Sequence, residues 1–296
     1  MIKEIKEIIK RASRILPDEI YIKLMFFYRG GGVVNLRKPR GINEKIQWLK
    51  LNDHRKKYVE FSDKYLAKKK VADIIGEKHV IPLIAVWNDP DEIILDDLPD
   101  RFVIKCTHNS GEALFICTNK ESLDEKRIKK SLKKALKKNY YYESREWAYK
   151  YIKPRVICEE LVIDDCKNNN TLSLVNYNFY CFDGEPKFLY IRVDDVASGE
   201  KGEARLSFLD LNWEKPDFYR TDHKQMPIYV EKPDDFDEMV DIAKKLAQGF
   251  PFVRVDLYHA NNMILFSEMT FYPGGGFGFF YPKEWELRMG SWITLP

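Results

Sequence analysis

The stretch VRVDLYHANNMILFSEMT, Val253 to Thr270, contains two strand-like runs joined by a polar turn. Side chains alternate between the two faces of an extended strand, so Arg254 and Asp256 share one face of the first run. The second run places Glu268 among apolar residues in the same way. A charge buried in a sheet is costly unless it is paired or bound to a metal. The pattern therefore predicts a hairpin that carries function as well as structure.

The pairing of these two strands depends on the length of the turn between them. Asn tolerates the left-handed conformation of tight turns, which places the turn within His259–Asn262. An odd loop, 260–262, puts Arg254 opposite Glu268 with Asp256 diagonal on the same face, whereas an even loop separates the carboxylates. We predict the odd register, because two carboxylates and a guanidinium together suit a hard divalent cation and a phosphate. The alternative is a purely structural Arg–Glu cross-strand pair.

The composition indicates a globular cytoplasmic protein. The 296 residues are 45% hydrophobic, enough for one large core or two smaller ones. No apolar run approaches the roughly 20 residues that span a membrane, and residues 1–16 read as a charged helix without a signal peptide's apolar region. The five cysteines form no CxxC pair, which predicts reduced thiols.

Charge gives weaker indications about partners. A net charge of +3 does not argue for nucleic acid, and we expect none to bind. The Lys-rich segment Asp124–Asn139 has helical apolar spacing. Its outer face is either simply solvated or a surface that attracts an acidic polymer or anionic lipid headgroups. The helix 1–16 either packs on the core or makes peripheral contact with a membrane.

The order of elements predicts an α+β fold. Residues 1 to about 80 are mostly helical, and HVIPLIAVW (His79–Trp87) is a short apolar strand and turn. Further strand patterns begin at Arg101 and continue, interrupted by helices, to the hairpin. Mixed strands, helices and hairpins favour α+β over a doubly wound parallel sheet.

Three further segments are candidates for ligand binding. The first, FVIKCTHNSGEALFI (Phe102–Ile116), is a strand ending in Lys105, a small polar loop and a second strand. Such a loop can lay backbone N–H groups against a phosphate, although an ordinary hairpin also explains it. The second, RVICEELV (Arg155–Val162), places consecutive acids in an apolar strand. These acids could accept hydrogen bonds from adenine or ribose, or could lie on an edge strand. The third, FYPGGGFGFF (Phe271–Phe280), suggests close backbone approach to a ligand, or a flexible loop.

The order of these motifs along the chain resembles that of an ATP-grasp enzyme. The Lys105 loop comes first and the consecutive acids second, followed by Arg-Val-Asp and then by Glu268 with Pro-Gly-Gly-Gly. The chain more closely resembles the TupA-like ATP-grasp family of bacterial cell-surface polysaccharide gene clusters. The resemblance runs from about Gly41 to the end of the sequence. It is carried by NEKIQWLKLNDHRKKY, SDKYLAKKKVADIIGEKHVIPLIAVW, LPDRFVIKCTHNSG, NYYYESREWAYKYIKPRVICEEL, YCFDGEPKF, GFPFVRVDLY and SEMTFYPGGGFG.

The resemblance implies a helical region, 1–100, followed by two α+β lobes, 101–160 and 161–296, that enclose ATP. Lys105 would contact the phosphates. The loop over the phosphates would comprise Thr107, His108, Asn109, Ser110 and Gly111. The adenine hinge would comprise Glu159, Glu160, Leu161 and Val162.

The resemblance also implies a magnesium site and a reaction. Asp256, Glu268 and Thr270 would hold Mg²⁺, and Arg254 would face the transferring phosphate, so that Arg254 and Lys105 are the expected catalytic residues. In ATP-grasp ligases a carboxylate attacks the γ-phosphate, and an amine then captures the acylphosphate as an amide. The expected enzyme is a carboxylate–amine ligase of surface polysaccharide or capsule biosynthesis. It would join an amino acid or amino sugar to a uronic acid-type carboxylate.

Other functions stay open at this point. The same nucleotide site would serve an ATP-dependent sugar kinase, or a module that binds ATP without catalysis. A glycosyltransferase is a further alternative, for which the sequence offers only two Asp-x-Asp triplets, beginning at Asp89 and Asp235. The expected substrate is a small molecule or a nucleotide- or lipid-linked saccharide.

Overall fold

The computed structural model of the chain describes residues 14–164, 174–193, 205–220 and 230–296. Most of the helix predicted over residues 1–16, and Cys166, lie outside the described residues. Among the helices of the described part, none is long and apolar enough to cross a membrane.

The described part of the chain contains eight α-helices, most of them before and between the sheets. Asp63 caps the fourth helix by accepting hydrogen bonds from the backbone N–H groups of Tyr65 and Leu66. That helix ends at Gly76, whose φ of +95° favours glycine. The helices are α1 (Asp18–Tyr28), α2 (Ile42–Asn52), α3 (Lys56–Ser62), α4 (Lys64–Ile75), α5 (Glu125–Leu136), α6 (Tyr141–Ser144), α7 (Phe236–Ala247) and α8 (Glu284–Ser291).

The first sheet has four antiparallel strands in the order β1-β4-β2-β3. Its strands are β1 (Leu83–Trp87), β2 (Phe102–Cys106), β3 (Phe115–Cys117) and β4 (Val156–Glu160). One face packs against α5 through Ile104 and Cys158, which share a core with Leu132 of the helix. Because side chains alternate along a strand, Lys105 and Glu159 lie on the opposite face.

The second sheet has five antiparallel strands in the order β10-β9-β5-β6-β7. Its strands are β5 (Val175–Phe182), β6 (Glu185–Val193), β7 (Arg205–Asp210), β9 (Phe252–Ala260) and β10 (Met263–Thr270). Helix α7 buries Met239 and Ala243 in the core that covers one face of this sheet. A small sheet pairs β8 (Tyr219–Arg220) with β11 (Phe280–Tyr281). These antiparallel sheets with separate helices confirm the predicted α+β class.

The hairpin β9–β10 corrects the predicted register. Its turn has two residues, Asn261 and Asn262, both left-handed, so the predicted three-residue loop is wrong. Arg254 pairs with Thr270, and Asp256 pairs with Glu268, in place of the predicted Arg254–Glu268 pair.

The two carboxylates nevertheless lie on the same face. A bulge between Phe266 and Glu268 shifts the pairing of the strands by one residue. This extra residue in β10 makes up for the turn being one residue shorter than predicted.

The predicted domain boundaries stay a prediction. The first sheet includes β1, which lies before residue 101 and pairs with β4. The region 101–160 therefore leaves out one strand of the sheet that it was expected to contain.

Candidate active site

The charged face of the hairpin forms one hydrogen-bonded cluster. Arg254 donates from Nε to Oδ1 of Asp256 at 2.6 Å and from Nη2 to Oδ2 at 2.5 Å. The same Nη2 donates to Oγ1 of Thr270 at 2.9 Å and lies 3.4 Å from Oε1 of Glu268. Thr270 in turn donates to Glu268 at 3.3 Å. The structure thus brings together all four hairpin residues predicted to act at the site.

The two carboxylates of this cluster differ in their environment. Asp256 is fully buried, and burial raises its pKa to about 7 although Arg254 pulls the pKa down. The Glu268 side chain is 40% exposed. Removal from bulk water alone would raise the pKa of Glu268, but the positive charges of Lys64, Arg254 and Lys105 lower it. Glu268 is therefore the ionised and accessible carboxylate of the pair.

Three lysines gather on the opposite side, around the open face of the first sheet. Lys105 forms an ion pair with Oε1 of Glu159, and Lys68 contacts Oε2 at 2.9 Å. Glu159 is buried, which would raise its pKa, but the two lysines outweigh burial and lower it. Lys64 donates to the backbone carbonyl of Asn109 and forms no ion pair within 4 Å among the described residues.

The lysine cluster faces the hairpin cluster. Burial lowers the pKa of Lys64, and the largest opposing influence is the negative charge of Glu268. When protonated, Lys64, Lys68 and Lys105 together bring three positive charges against the one negative charge of Glu159. This arrangement suits a polyphosphate with a divalent cation, because the lysine cluster has a surplus of positive charge and the hairpin offers an accessible carboxylate.

The loop 107–111 is divided between buried and exposed residues. Thr107 is fully buried, and its hydroxyl binds the carbonyl of Lys153 at 3.3 Å. His108 packs beneath α5, with Nε2 3.2 Å from the carbonyl of Ala135. Asn109 is buried and donates to the carbonyl of Glu112 at 2.9 Å. The side chains of Thr107, His108 and Asn109 therefore fix the loop, while Ser110 and Gly111 form its exposed tip.

The predicted hinge segment lies between the first sheet and the turn of the hairpin. Glu160 is exposed, and Leu161 and Val162 are half-buried. Just beyond them, the carbonyl of Ile163 accepts a hydrogen bond of 2.7 Å from Nδ2 of Asn261. The surroundings of Glu159 differ from those expected of an adenine contact, because lysines form ion pairs with both of its carboxylate oxygens.

The glycine-rich segment packs closely against other side chains of the protein and does not face open space. Gly275 and Gly276 have φ values of +66° and +71°. A Cβ on Gly276 would lie 2.6 Å from Nε2 of Gln47, and one on Gly275 would lie 2.7 Å from Cβ of Ser144. Lys50 donates to the carbonyl of Gly275 at 2.7 Å and so ties α2 to this turn. Glycine is needed here for close packing against side chains of the helical region.

The sequence interpretation missed two lysines and one acid at the site. Lys64 and Lys68 are one turn apart on α4, and the signal was the Asp63 cap that starts this helix. Glu146 lies in the aromatic segment 139–155. These residues are more than 100 positions from the hairpin, so only the fold brings them to it.

The donor set fits magnesium only in combination with a ligand. Among the described residues, no three His, Cys, Asp or Glu side chains are grouped to hold a metal ion. Asp256 and Glu268 offer hard oxygen ligands, which Mg²⁺ normally completes with phosphate oxygens and water. Both Asp256 oxygens already accept hydrogen bonds from Arg254 but keep further lone pairs. The residues present therefore fit a magnesium nucleotide better than a free ion.

Comparison with known families agrees with this arrangement. The model of the family described as TupA-like ATPgrasp matches residues 44–294, most of the chain. The chain therefore belongs to the TupA-like ATP-grasp family, which confirms the resemblance and the ATP-grasp fold. This membership supports an ATP-dependent ligase as the general kind of enzyme. A comparison with curated proteins gave no match.

Several solved structures are distantly similar. D-alanine–D-alanine ligase from Helicobacter pylori is 14% identical with a TM-score of 0.44, covering 79% of this chain and 61% of the ligase. The Bacillus anthracis ligase in complex with ATP is 12% identical with a TM-score of 0.39, covering 71% and 53%. The ATP-grasp ligase PsnB with a phosphomimetic precursor variant, Mg and ADP is 12% identical with a TM-score of 0.39, covering 78% and 58%. The chain thus spans less than two thirds of each of these proteins.

Proposed function

We propose that this protein is an ATP- and Mg²⁺-dependent carboxylate–amine ligase of bacterial surface polysaccharide or capsule assembly. The observation that carries the proposal is the lysine cluster at the first sheet opposite the paired carboxylates of β9 and β10. Lys64 and Lys105 are close enough to Glu268 to lower its pKa, so a polyphosphate between the sheets would contact both sides. Family membership supports the same chemistry.

Each part of the site has a role in this reaction. Lys64 and Lys105 would bind the phosphates, and the tip of the loop 107–111 would cover them with backbone N–H groups. Bound Mg²⁺, held by Asp256, Glu268 and Thr270, would neutralise phosphate charge. Arg254 is positioned by Asp256 and Thr270 and would stabilise the charge that develops on the transferred phosphoryl group. The segment 159–162 would contact adenine.

The chemistry proceeds in two steps. A substrate carboxylate oxygen bonds to the γ-phosphorus of ATP while the bond to the β–γ bridging oxygen breaks, which gives an acylphosphate and ADP. The nitrogen of an amine then bonds to the acyl carbon, and the carbon–oxygen bond to phosphate breaks with its electron pair on phosphate. The products are an amide, ADP and phosphate. We propose a uronic acid-type carboxylate and an amino acid or amino sugar as the two substrates, because the exposed lysines of α5 suit an acidic saccharide.

The glycosyltransferase alternative gains no support from the two Asp-x-Asp triplets. Asp89 caps a short helix by accepting a hydrogen bond from the N–H of Asp91. Asp235 precedes α7 and lies 3.1 Å from Nε2 of His259. Asp89 therefore has a capping role, and the side chain of Asp235 contacts a histidine of β9.

The test is a thermal-shift titration with ATP, ADP and two nucleotide-sugars, each with and without Mg²⁺. A ligand that binds only the native state at a hundred times its dissociation constant stabilises by roughly 2.7 kcal/mol. We expect stabilisation by ATP and ADP that depends on Mg²⁺, and none by nucleotide-sugars. Stabilisation by a nucleotide-sugar alone would favour a glycosyltransferase. Phosphoryl transfer to a sugar without amide formation would favour a kinase.

A further inference from the structure

Residues 140–149 connect the phosphate loop with the glycine turn. At one end, Tyr140 is close enough to Ser110 for a hydrogen bond to influence its pKa, which burial raises to about 12. The Tyr140 ring lies 4.9 Å from the ring of Tyr149. At the other end, Lys50 donates to the carbonyl of Ser144 at 2.6 Å as well as to Gly275. The segment is thus held beside the space between the lysine cluster and the hairpin.

Glu146 is the acidic residue at the centre of this segment, and it lacks a counter-ion. The residue is 8% exposed. Its carboxylate accepts one hydrogen bond, 2.5 Å from Oγ of Ser144. No described residue forms an ion pair with it within 4 Å. A buried carboxylate normally has several hydrogen bonds or a paired cation, whereas Glu146 has one side-chain hydrogen bond and no ion pair among the described residues.

Lys50, whose charge acts on Glu146, does not form an ion pair with it within 4 Å. Burial raises the pKa of Glu146, and Lys50 lowers it from a distance. The Lys50 ammonium, however, is committed to two backbone carbonyls and lies 4.7 Å from the centre of the Phe277 ring. Burial also lowers the pKa of Lys50 to about 7, which reduces the positive charge available near neutral pH.

Glu146 lies next to the reactive part of the proposed site. The charges of Glu268 and Arg254 both act on it, and both also act on the hydroxyl of Tyr149. A second buried group close to Glu146, the hydroxyl of Tyr272, has no hydrogen-bond partner among the described residues. A carboxylate without an ion pair and a buried hydroxyl without a hydrogen-bond partner, both in this part of the fold, indicate a place for a polar ligand.

We propose that Glu146 binds the ammonium group of the amine substrate and accepts the proton that the amine loses before it attacks. This inference rests on the proposed ligase function and assigns its second substrate site. An ammonium group supplies the missing cation and donates hydrogen bonds to the carboxylate. The charge of Glu146 acts on both Tyr140 and Tyr149, whose rings lie 4.9 Å apart, and aromatic rings favour a nearby cation.

The proton balance agrees with the two-step reaction. An amine attacks only as the neutral form, so its ammonium must first give one proton to Glu146. The nitrogen lone pair then forms the bond to the acyl carbon as phosphate leaves. The nitrogen releases a second proton, which the departing phosphate can take. Glu146 returns to the carboxylate when its proton passes to solvent.

The experiment compares the full-length wild type with Glu146→Gln, in the presence of Mg·ADP. Glutamine can still accept the Ser144 hydrogen bond, so this variant should fold, and losing a poorly paired buried charge should not lower its melting temperature. The probes are methylammonium chloride, glucosamine and ethanolamine. The matched neutral compound is N-acetylglucosamine, and potassium chloride at equal ionic strength controls for a simple cation effect. Glu143→Gln, which removes an exposed acid from the same segment, is the control variant.

We expect primary amines to bind the wild type and Glu143→Gln in calorimetric titrations, with affinity for Glu146→Gln weakened about tenfold or more. Glu146→Asp should retain part of the binding. The affinity for Mg·ADP should be the same in all variants. Equal amine binding to Glu146→Gln, no amine binding to the wild type, or equal stabilisation by potassium chloride would overturn the inference. Failure of Mg·ADP to bind the wild type would instead overturn the proposed function.

Discussion

Asp256 and Glu268 lie directly opposite each other on β9 and β10, although the two-residue turn between these strands would by itself put them on opposite faces. The bulge before Glu268 reverses the parity of β10 and returns the carboxylate to the face of Asp256. Bulges are frequent next to active sites, where they redirect a side chain. In this protein the redirected side chain is the accessible acid of the hairpin.

The first prediction concerns that acid. Glu268→Gln removes the charge of the accessible carboxylate and preserves its shape, so Mg²⁺ should lose a ligand. We expect the affinity for Mg·ATP to fall about tenfold or more, since charged ligands contribute most to such a site. Calorimetric titration with ATP, with and without Mg²⁺, measures this change. Glu121→Gln, in an exposed turn, should bind as the wild type does. Unchanged Mg·ATP affinity in Glu268→Gln would refute the metal assignment of the hairpin.

The second prediction concerns the lysine cluster. Lys105→Ala should weaken ATP binding about tenfold to a hundredfold, because a charge-assisted contact to phosphate is lost. Adenosine, which has no phosphates, should bind this variant and the wild type equally. Glu159 keeps its 2.9 Å contact with Lys68, so the fold should remain intact. Binding of both ligands can be compared by competition with a fluorescent nucleotide.

Lys130→Ala is the matched control for Lys105→Ala, since Lys130 is exposed on α5. An equal loss of ATP and adenosine affinity in Lys105→Ala would indicate a folding defect and would contradict a phosphate contact.

Local chemistry explains why part of the site was predictable from sequence. Strand alternation placed Arg254 and Asp256 on one face, and the turn asparagines indicated the left-handed turn. The bulge was not predictable, because Phe266-Ser267-Glu268 contains no glycine or proline to mark it. The contribution of Lys64 depends on contacts between distant parts of the chain, which no local pattern encodes.

Asn178 shows a different limit of sequence reasoning. It lies opposite Asp256 on β5. The structure directs its side-chain amide to the carbonyls of Asn176 and Tyr190, at 2.9 and 3.2 Å. Asp256 is paired by Arg254, a contact that becomes visible only in three dimensions.

The third prediction separates structure from function within the loop 107–111. His108 packs under α5, and burial lowers its pKa, so the neutral form is favoured in the folded protein. His108→Ala should therefore lower the melting temperature but change ATP affinity of the folded protein less than about twofold. In the unfolded chain, His108 becomes protonated below its ordinary pKa of about 6.5. We therefore expect the wild type to lose stability as the pH falls below about 6.5, and to lose more than the variant does.

Chemical denaturation at several pH values, together with ATP titration, measures both effects of His108→Ala. Ser110→Ala, at the exposed tip of the loop, is the comparison and should leave stability unchanged. A large loss of ATP affinity in a fully folded His108→Ala protein would mean that the imidazole contacts the nucleotide.

The last prediction uses the buried ammonium of Lys50. Its pKa is lowered from the ordinary 10.5 to about 7, so between these values the unfolded chain binds one more proton than the folded protein. Stability contributed by this residue therefore rises with pH across that window, by at most about 1.4 kcal/mol per pH unit. Lys50→Met keeps much of the side chain's bulk but cannot titrate. Its free energy of unfolding should lack this slope.

Urea denaturation at successive pH values measures how the free energy of unfolding of the wild type and of Lys50→Met changes with pH. The contributions of the other titrating groups cancel in the difference between the two slopes. Lys45→Met is the matched control. Lys45 lies on the same helix and donates to the carbonyl of Ile293 at 2.7 Å, but it is less buried than Lys50. Its slope should stay closer to that of the wild type. Parallel pH dependences for the wild type and Lys50→Met would show that the ammonium stays charged throughout. In that case Lys50 would keep its full positive charge near Glu146, and the carboxylate would have less need of a charge from the substrate.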